Sequence, residues 1–412
     1  MDHLRLARSA LHDTYTDEYN TSDTKRVLLY SHDSFGLGHF RRNLAIARAL
    51  VAQSPGVNVL IVSGSPCATQ FALPQRCDVV KLPTVGKCPE GRYVPRNLSI
   101  SLQSVLDLRQ HLIDAAYRSF DPDAIIVDHQ PTGLAGEALP MVRAARKRGK
   151  LTVFGMRDIV DSAEVVEKDW GTPLCREALT HDYSQIVVYG DRNLFDAVSE
   201  YPVLRPLRDK VSSVGYIATP ADRTSPRPVP TLEQQVLLTV GGGEDGAERV
   251  AAYVEALELA PAEWQSEIVL GPLMKASEVH GCRALVDRSR YAHSIRISRF
   301  QPDMPRLMRQ SDAIVSMAGY NSCVEALRSR RPIILMPRDR MRHEQRIRAS
   351  RFAENGLAQS VEKPDPARLR QALDHALSSP DLSGIPPKLN GLENMCRLVG
   401  CAPEEVHESV QH

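Results

Sequence analysis

Short runs of uninterrupted apolar residues alternate with stretches of helical period along most of this chain. In the first half the runs fall at residues 26–32, 57–64, 77–83, 123–129, 150–156 and 185–190. In the second half they fall at 235–243, 267–272, 295–300, 313–319 and 332–337. The runs do not alternate apolar with polar, so they predict strands covered on both faces, as in parallel sheets. Strand and helix patterns in alternation predict doubly wound α/β architecture. Phe40, Leu44, Ala47 and Val51 recur at helical spacing and give the helix after the first run one inward stripe. Between the two series lies "ATPADRTSPRPVPTLEQ" (218–234), with four prolines and no period. It reads as a linker. The expected organisation is a mobile arm over 1–25, a domain over 26–222, a second domain over 223–380, and a tail over 381–412 that packs back across the junction.

Composition narrows this only a little. A chain of 412 residues is too long for one ordinary core. Net charge is +1 with 42% hydrophobic residues, so no global field favours nucleic acid. No apolar run approaches the roughly 20 residues of a membrane-spanning helix. The first 25 residues lack the apolar core of a signal peptide. The eight cysteines form no C-x-x-C pair, which fits reduced thiols in a cytoplasmic protein.

Two facing doubly wound domains leave a cleft at the carboxyl ends of both sheets, and two glycine turns are directed there. "HDSFGLGHFRRNLAIA" (32–47) places Gly36, Gly38, Arg41 and Arg42 around His39 at a helix start. The third fingerprint position is Arg41, not glycine, and the next strand ends without an acid, which disfavours a dinucleotide. Gly36, Gly38, Arg41 and Arg42 form a candidate loop for a phosphate or an acceptor. Unpaired amides at the helix tip disfavour a positive ring, so His39 is expected to be neutral and to accept a proton. The alternative is a histidine that only hydrogen-bonds its turn. "LLTVGGGEDGA" (237–247) supplies Gly241, Gly242 and Gly243 but lacks the Lys-Ser/Thr of a P-loop. Its backbone can still grip a phosphate, or it is a tight turn with no ligand.

The densest stretch is "AIVSMAGYNSCVEALRSRRPIILMPRDRMRHEQ" (313–345). A strand runs into Ala318-Gly319 and then into a helix opening with Tyr320, Asn321 and Ser322. These are capping and anion-cradling residue types. Glu325 lies a turn further on, where a carboxylate can bind a ribose diol. Arg338, His343, Glu344 and Gln345 follow the next strand. A carboxylate beside an amide suits sugar hydroxyls, which both donate and accept.

This region resembles the donor half of GT-B glycosyltransferases, above all the branch with the peptidoglycan N-acetylglucosaminyltransferases and plant galactolipid synthases. The resemblance spans roughly residues 26–380. "GGGEDGA" resembles the family's G-G-S-x-G-A turn, "GLGH" its G-x-G-H loop, and "RFQPDMPRLM" (299–308) the segment that meets the base. It implies a GT-B fold, two Rossmann-like domains facing across a cleft. It also implies that Gly319, Asn321 and Ser322 hold a diphosphate, Glu325 the ribose, Glu344 and Gln345 the sugar, and Phe300 and Met304 the base. The implied activity is inverting, metal-independent sugar transfer from a nucleotide-diphosphate donor, by resemblance a UDP-sugar, to a hydroxyl or amine acceptor, with no further cofactor. The acceptor is a small molecule or lipid-linked, the latter requiring peripheral membrane contact.

Nine arginines lie between Arg328 and Arg351. Their density beside the donor segment suggests an anionic ligand met by guanidinium forks. Without interleaved aromatics it is no nucleic-acid strip. Asp121 and Asp123 imitate a metal dyad but precede their strand, at the wrong edge of the sheet, so no metal is expected. Asp128 and Asp158 stand at carboxyl ends and are candidates for orienting the base or binding the acceptor. "GLGHFRRNLAIA" also resembles the loop of a UDP-sugar hydrolase. Water as acceptor, a UDP-sugar 2-epimerase on the same fold, and a non-catalytic sugar-nucleotide binder are the alternatives.

Overall fold

The computed structural model describes residues 24–32, 38–88, 92–219, 233–338, 343–379 and 384–401. The amino-terminal arm to residue 23, the linker over 220–232 and Gly36 lie outside these, as does the boundary expected between 222 and 223.

The first sheet contains β1 (Lys25–Ser31), β2 (Val57–Ser63) and β3 (Cys77–Lys81). A separate two-stranded hairpin, β4 (Val85–Lys87) with β5 (Tyr93–Pro95), interrupts it. The sheet resumes with β6 (Ala124–Asp128), β7 (Leu151–Arg157), β8 (Gln185–Tyr189) and β9 (Val211–Ser213). The spatial order is β3-β2-β1-β6-β7-β8-β9, with every pair parallel. The second sheet has β10 (Gln234–Thr239), β11 (Trp264–Val269), β12 (Ile295–Ser298), β13 (Ala313–Ser316), β14 (Ile333–Leu335) and β15 (Gln359–Ser360). Its order is β12-β11-β10-β13-β14-β15, again parallel. The α/β, doubly wound fold class read from the apolar runs is the fold observed. The hairpin, β9 and β15 are additions. Each has two or three residues, too few to show a pattern.

Both sheets reverse their winding once. In the first the reversal lies between β1 and β6, where Val27 pairs with Ala124 and Tyr30 with Val127. In the second it lies between β10 and β13, where Thr239 pairs with Ser316. At such a switch point the crossover helices leave to opposite faces, which opens a crevice beyond the strand ends.

Helix α1 (Gly38–Gln53) follows β1 and buries Phe40, Leu44, Ala47 and Val51. Four such side chains withdrawn from water contribute several kcal/mol, at about 1.5–3 kcal/mol for each of the larger ones. Helix α2 (Leu102–Phe120) covers the opposite face. In the second lobe α3 (Ala247–Glu258), α4 (Tyr320–Ser329) and α5 (Glu344–Glu354) follow β10, β13 and β14. The last described helix, α6 (Gly391–Leu398), returns to the first lobe. There the Gly391 amide donates to the Tyr216 carbonyl (3.1 Å) and Asn394 Nδ2 to the Val214 carbonyl (2.8 Å). No described helix is long and apolar enough to cross a membrane.

Candidate active site

A cavity of about 270 Å³ separates the two lobes. Its first wall is the start of α1: Gly38, His39, Arg41 and Arg42, with Phe71 and Arg157. Its second wall is built from the two glycine turns of the other lobe: Gly241, Gly242 and Glu244 after β10, and Gly319, Tyr320, Asn321, Ser322 and Glu325 after β13. Phe300, Met304, Glu344 and Gln345 also line it.

His39 stands on the first turn of α1, its side chain 15% exposed. Its Nδ1 lies 2.6 Å from Asp128 Oδ2. Asp128 is the last residue of β6, the strand beside β1 at the switch point, so topology alone brings the pair together. Arg42, one turn along α1, donates from Nη2 to both Asp128 oxygens at 2.6 Å and from Nε to Oδ1 at 3.1 Å. Burial alone would raise the Asp128 carboxyl. Arg42 first, and His39 after it, hold it down at about 2. It is therefore an anion at every pH where the fold is of interest. An anionic partner on Nδ1 fixes the ring proton there and leaves the lone pair on Nε2. Burial pushes the His39 ring below its ordinary value, and Arg42 and Arg157 add to this against the pull of Asp128. The ring is neutral, as the sequence suggests, but the largest cause is burial.

Arg42 is not the phosphate ligand its place in "GHFRR" suggests. Only 3% of it is exposed, and its guanidinium is sandwiched between the rings of Tyr189 (5.3 Å) and Tyr320 (5.4 Å). Its Nε and Nη2 are bonded to Asp128, and Nη2 also lies 2.9 Å from His39 Nδ1. Arg41 faces the other way, across the cleft, and donates from Nη2 to Glu325 Oε1 at 2.5 Å. Asn321 Nδ2 donates to the Gly38 carbonyl at 3.1 Å, a second bond between the lobes.

The tip of α4 is shaped for close approach. Ala318 takes a positive φ of 62°, and its carbonyl accepts from Arg348 Nη1 at 3.0 Å. Gly319 has ordinary extended geometry, and a Cβ there would meet nothing within 4 Å. Its missing side chain thus leaves the cavity open beside the amides of the helix tip. Gly241 turns the chain at φ 62° across from Ser322. Gly243 does not reach the cavity: at φ 100° it packs on the Leu270 carbonyl, where no side chain fits. Ala318 also stays behind the wall, fully buried.

Glu344 and Gln345 line the cleft at the start of α5, oriented by Arg338. Arg338 Nη2 donates to Glu344 Oε1 (2.7 Å), and the Arg338 amide to Gln345 Oε1 (3.1 Å). Arg338 is thus a support and not a lining residue. His343 is likewise outside the lining; its amide donates to Asp161 Oδ1 at 2.9 Å.

Asp158, expected beside the base, is fully buried under the cleft. It accepts from Tyr216 Oη at 2.5 Å and pairs with Arg348 at 3.4 Å, which leaves it unable to face a ligand. Asp121 and Asp123 lie at the opposite sheet edge, paired with Arg148 and Lys150. Among the described residues the arginine run is corrected too; Arg340 and Arg342 lie outside them. Arg331, Arg338, Arg348 and Arg351 pair with Asp312, Glu344, Asp158 and Glu200, and none lines the cavity. Among the described residues the cavity's guanidiniums come from the first lobe instead: Arg41, Arg42 and Arg157. Among the described residues no cluster of three His, Cys, Asp or Glu is arranged to hold a metal ion.

Sequence reasoning missed Phe71 and Glu244 and gave Arg157 no role. Arg157 ends β7, and strand-end position was a signal for it. Glu244 sits in "GGGEDGA", where burial and then Asp245 push its carboxyl up to about 7.

Residues 237–383 match the glycosyltransferase family 28 C-terminal domain. Over 314 residues the chain is 23% identical to a UDP-N-acetylglucosamine–N-acetylmuramyl-(pentapeptide) pyrophosphoryl-undecaprenol N-acetylglucosamine transferase of Caulobacter vibrioides, covering 73% of this chain and 75% of that one. Acinetobacter baumannii MurG superposes with a TM-score of 0.55 at 15% identity, over 90% of this chain and 95% of that one. The glycosyltransferase SnogD of Streptomyces nogalater superposes with 0.59 at 16% identity, over 92% and 95%. The two lobes have the GT-B fold, the second carries the match to the glycosyltransferase family 28 C-terminal domain, and over most of its length the chain is similar to the peptidoglycan N-acetylglucosamine transferases.

Proposed function

We propose that the chain transfers a sugar, with inversion and without a metal ion, from a nucleotide-diphosphate donor of the UDP-sugar type to a hydroxyl or amine. The observation that carries this is the His39–Asp128 pair on one wall of the cleft, facing a helix tip cleared of side chain at Gly319.

In this reading the second lobe holds the donor. The diphosphate lies against the α4 amides, where a helix N-terminus favours negative charge, with Asn321 and Ser322 beside it. Phe300, 51% exposed at the cleft mouth, and Met304 meet the base. Glu325 takes the ribose, and Glu344 and Gln345 take the sugar hydroxyls. The ribose shares Glu325 with Arg41, so donor entry loosens that interlobe pair. Gly241 and Gly242 let the second turn approach the same ligand. In this reading residues before the linker bind the acceptor and residues after it the donor.

His39 Nε2 takes the acceptor proton as the acceptor oxygen or nitrogen bonds to the anomeric carbon. The bond from that carbon to the diphosphate breaks, and the leaving group keeps the electron pair. Asp128 steadies the imidazolium that forms, as in other carboxylate–histidine pairs. Arg42 keeps Asp128 ionised and in place. Charge developing on the diphosphate meets the preorganised amides of the α4 tip, the role a metal has elsewhere.

The test is product analysis by mass spectrometry across donors and acceptors, with the anomeric configuration read by NMR. A glycosylated acceptor of inverted configuration is expected, in the presence of a chelator. Fast release of UDP from donor alone would make the chain a hydrolase, and an isomerised sugar still on its nucleotide would make it an epimerase.

A further inference from the structure

One aromatic ring of the donor-side helix sits inside the first lobe. Tyr320, the first residue of α4, is 4% exposed and packs in the buried cluster that runs through both lobes. Its ring centroid lies 5.8 Å from that of Tyr216, and its Oη accepts from the Ile217 amide at 3.2 Å. Tyr216 and Ile217 follow β9, the edge strand of the first sheet.

The ring is held by bonds that cross from lobe to lobe. Arg348 of α5 donates from Nη1 to the Ala318 carbonyl, in the turn just before Tyr320. The same guanidinium donates from Nη2 to the Ile159 carbonyl of the first lobe at 3.1 Å, and its charge is met there by Asp158. Just after Tyr320, Asn321 donates to the Gly38 carbonyl. The Ile217 amide completes the set. Docking of the lobes therefore fixes Tyr320, and parting them withdraws its ring.

What the ring touches is the support of the base. Arg42 is held between Tyr189 and Tyr320, and it bonds Asp128, which bonds His39. Tyr189 ends β8 in the first lobe and stays with Arg42 whatever the second lobe does. Tyr320 does not. The negative face of an aromatic ring attracts a guanidinium, more strongly where water is excluded. Burial raises the Tyr320 phenol above its ordinary value, so the ring stays neutral and acts through that face. The Arg348 guanidinium also lies over this ring, at 5.7 Å, with its charge already met by Asp158.

We infer that Tyr320 is a positioning residue for the base: carried into the first lobe by the donor-side helix, its ring clamps Arg42 onto Asp128, so that His39 is oriented for proton removal while the second lobe is docked. The inference rests on the proposed transfer reaction. It ties the helix tip that would hold the diphosphate to the histidine that would take the proton. With the lobes apart, the base loses one side of its support.

The test compares wild type with Tyr320→Met, Tyr320→Phe, Arg42→Met and the double variant Tyr320→Met/Arg42→Met. The His39 titration is followed by NMR of ring-labelled histidine, with His39→Ala assigning the resonance. The groups that face His39 are Asp128, Arg42 and Arg157, with the His129 and His32 rings 4.6 and 6.2 Å away. Its ring is held low by burial first, with Arg42 and Arg157 adding to this against Asp128. Losing the Tyr320 ring admits water and frees Arg42, and both changes raise the His39 pKa. In Tyr320→Met the His39 titration and the acidic limb of kcat should therefore move up by about 0.5–1 in pH. At the wild-type optimum kcat should fall about three- to tenfold, the scale of one lost cation–π contact. UDP affinity by calorimetry should stay within about threefold, because the diphosphate is assigned to main-chain amides. Tyr320→Phe keeps the ring face and should restore both limb and kcat, while its melting temperature falls because the Ile217 amide loses its acceptor. In the Arg42→Met background, Tyr320→Met should cost no more than about a further twofold, since the ring acts through the guanidinium. If Tyr320→Met does not fold, a ring-fluorinated phenylalanine at the same position replaces it. It nearly keeps the shape of Tyr320→Phe but drains the ring face, so the limb should again move up. An unmoved His39 titration, equal effects of Met and Phe, or additive losses in the double variant would overturn the clamp. Failure to bind UDP in wild type would instead overturn the donor reading, and the His39 titration would still decide the clamp.

Discussion

The two switch points have the same topology and opposite chemistry. At the first, between β1 and β6, the crevice is occupied by His39, Asp128 and Arg42, titratable groups held in low dielectric. At the second, between β10 and β13, it is occupied by main chain and small residues, with Gly241, Gly242 and Gly319 clearing the approach. In the proposed reaction one crevice stabilises a proton acceptor, the other a developing anion. The fold positions both by one rule, and the residues after each strand decide which partner of the reaction it serves.

The sharpest way to break this contrast is at the base. His39→Ala should lower turnover by about 10²–10⁴-fold, the scale of general-base loss, with donor affinity nearly unchanged; steady-state kinetics beside calorimetry checks both. Asp128→Asn keeps the shape but removes the charge that fixes the ring tautomer, and should cost about 10²-fold or more in turnover. Arg42→Met tests whether the guanidinium acts through Asp128. It should lower turnover less, roughly tenfold, with the acidic limb of the rate profile displaced; an unmoved limb would leave Arg42 a packing residue only.

At the opposite crevice the effect should appear in binding. A Cβ at Gly319 strains nothing and fills open space, so Gly319→Ala should fold normally and weaken donor affinity by about tenfold, read by calorimetry with UDP. The smallest effect belongs to Glu244, whose carboxyl titrates at about 7. Below that pH it is neutral, and above it adds an anion beside the diphosphate. Donor KM should therefore rise by roughly two- to fivefold from pH 6 to 8 in wild type and stay flat in Glu244→Gln.

Much of this is written in the chain because the strands are buried on both faces and long enough to show it. The hairpin Val85–Lys87 with Tyr93–Pro95 is too short to carry a period. The second crevice was legible because small residues at a strand-to-helix turn mean close approach. Arg42 and Asp158 were misread because a charged residue near a strand end looks the same in sequence whether it faces a ligand or a buried partner. The partners here, Asp128 for one and Arg348 with Tyr216 for the other, come from elements 86, 190 and 58 residues away. The arginines after Ser329 mislead for the same reason: their density shows, but their acidic partners do not.

The central claim is that a neutral His39, steadied by an ionised Asp128, removes the acceptor proton. Its most direct test is the pH dependence of kcat/KM for the acceptor at saturating donor. Asp128 stays ionised down to about 2 and His39 titrates below its ordinary value, so activity should fall as pH drops through a single pKa below 6.5. That limb should vanish from the residual activity of His39→Ala. The same limb, at the same pH, in the variant would contradict the account.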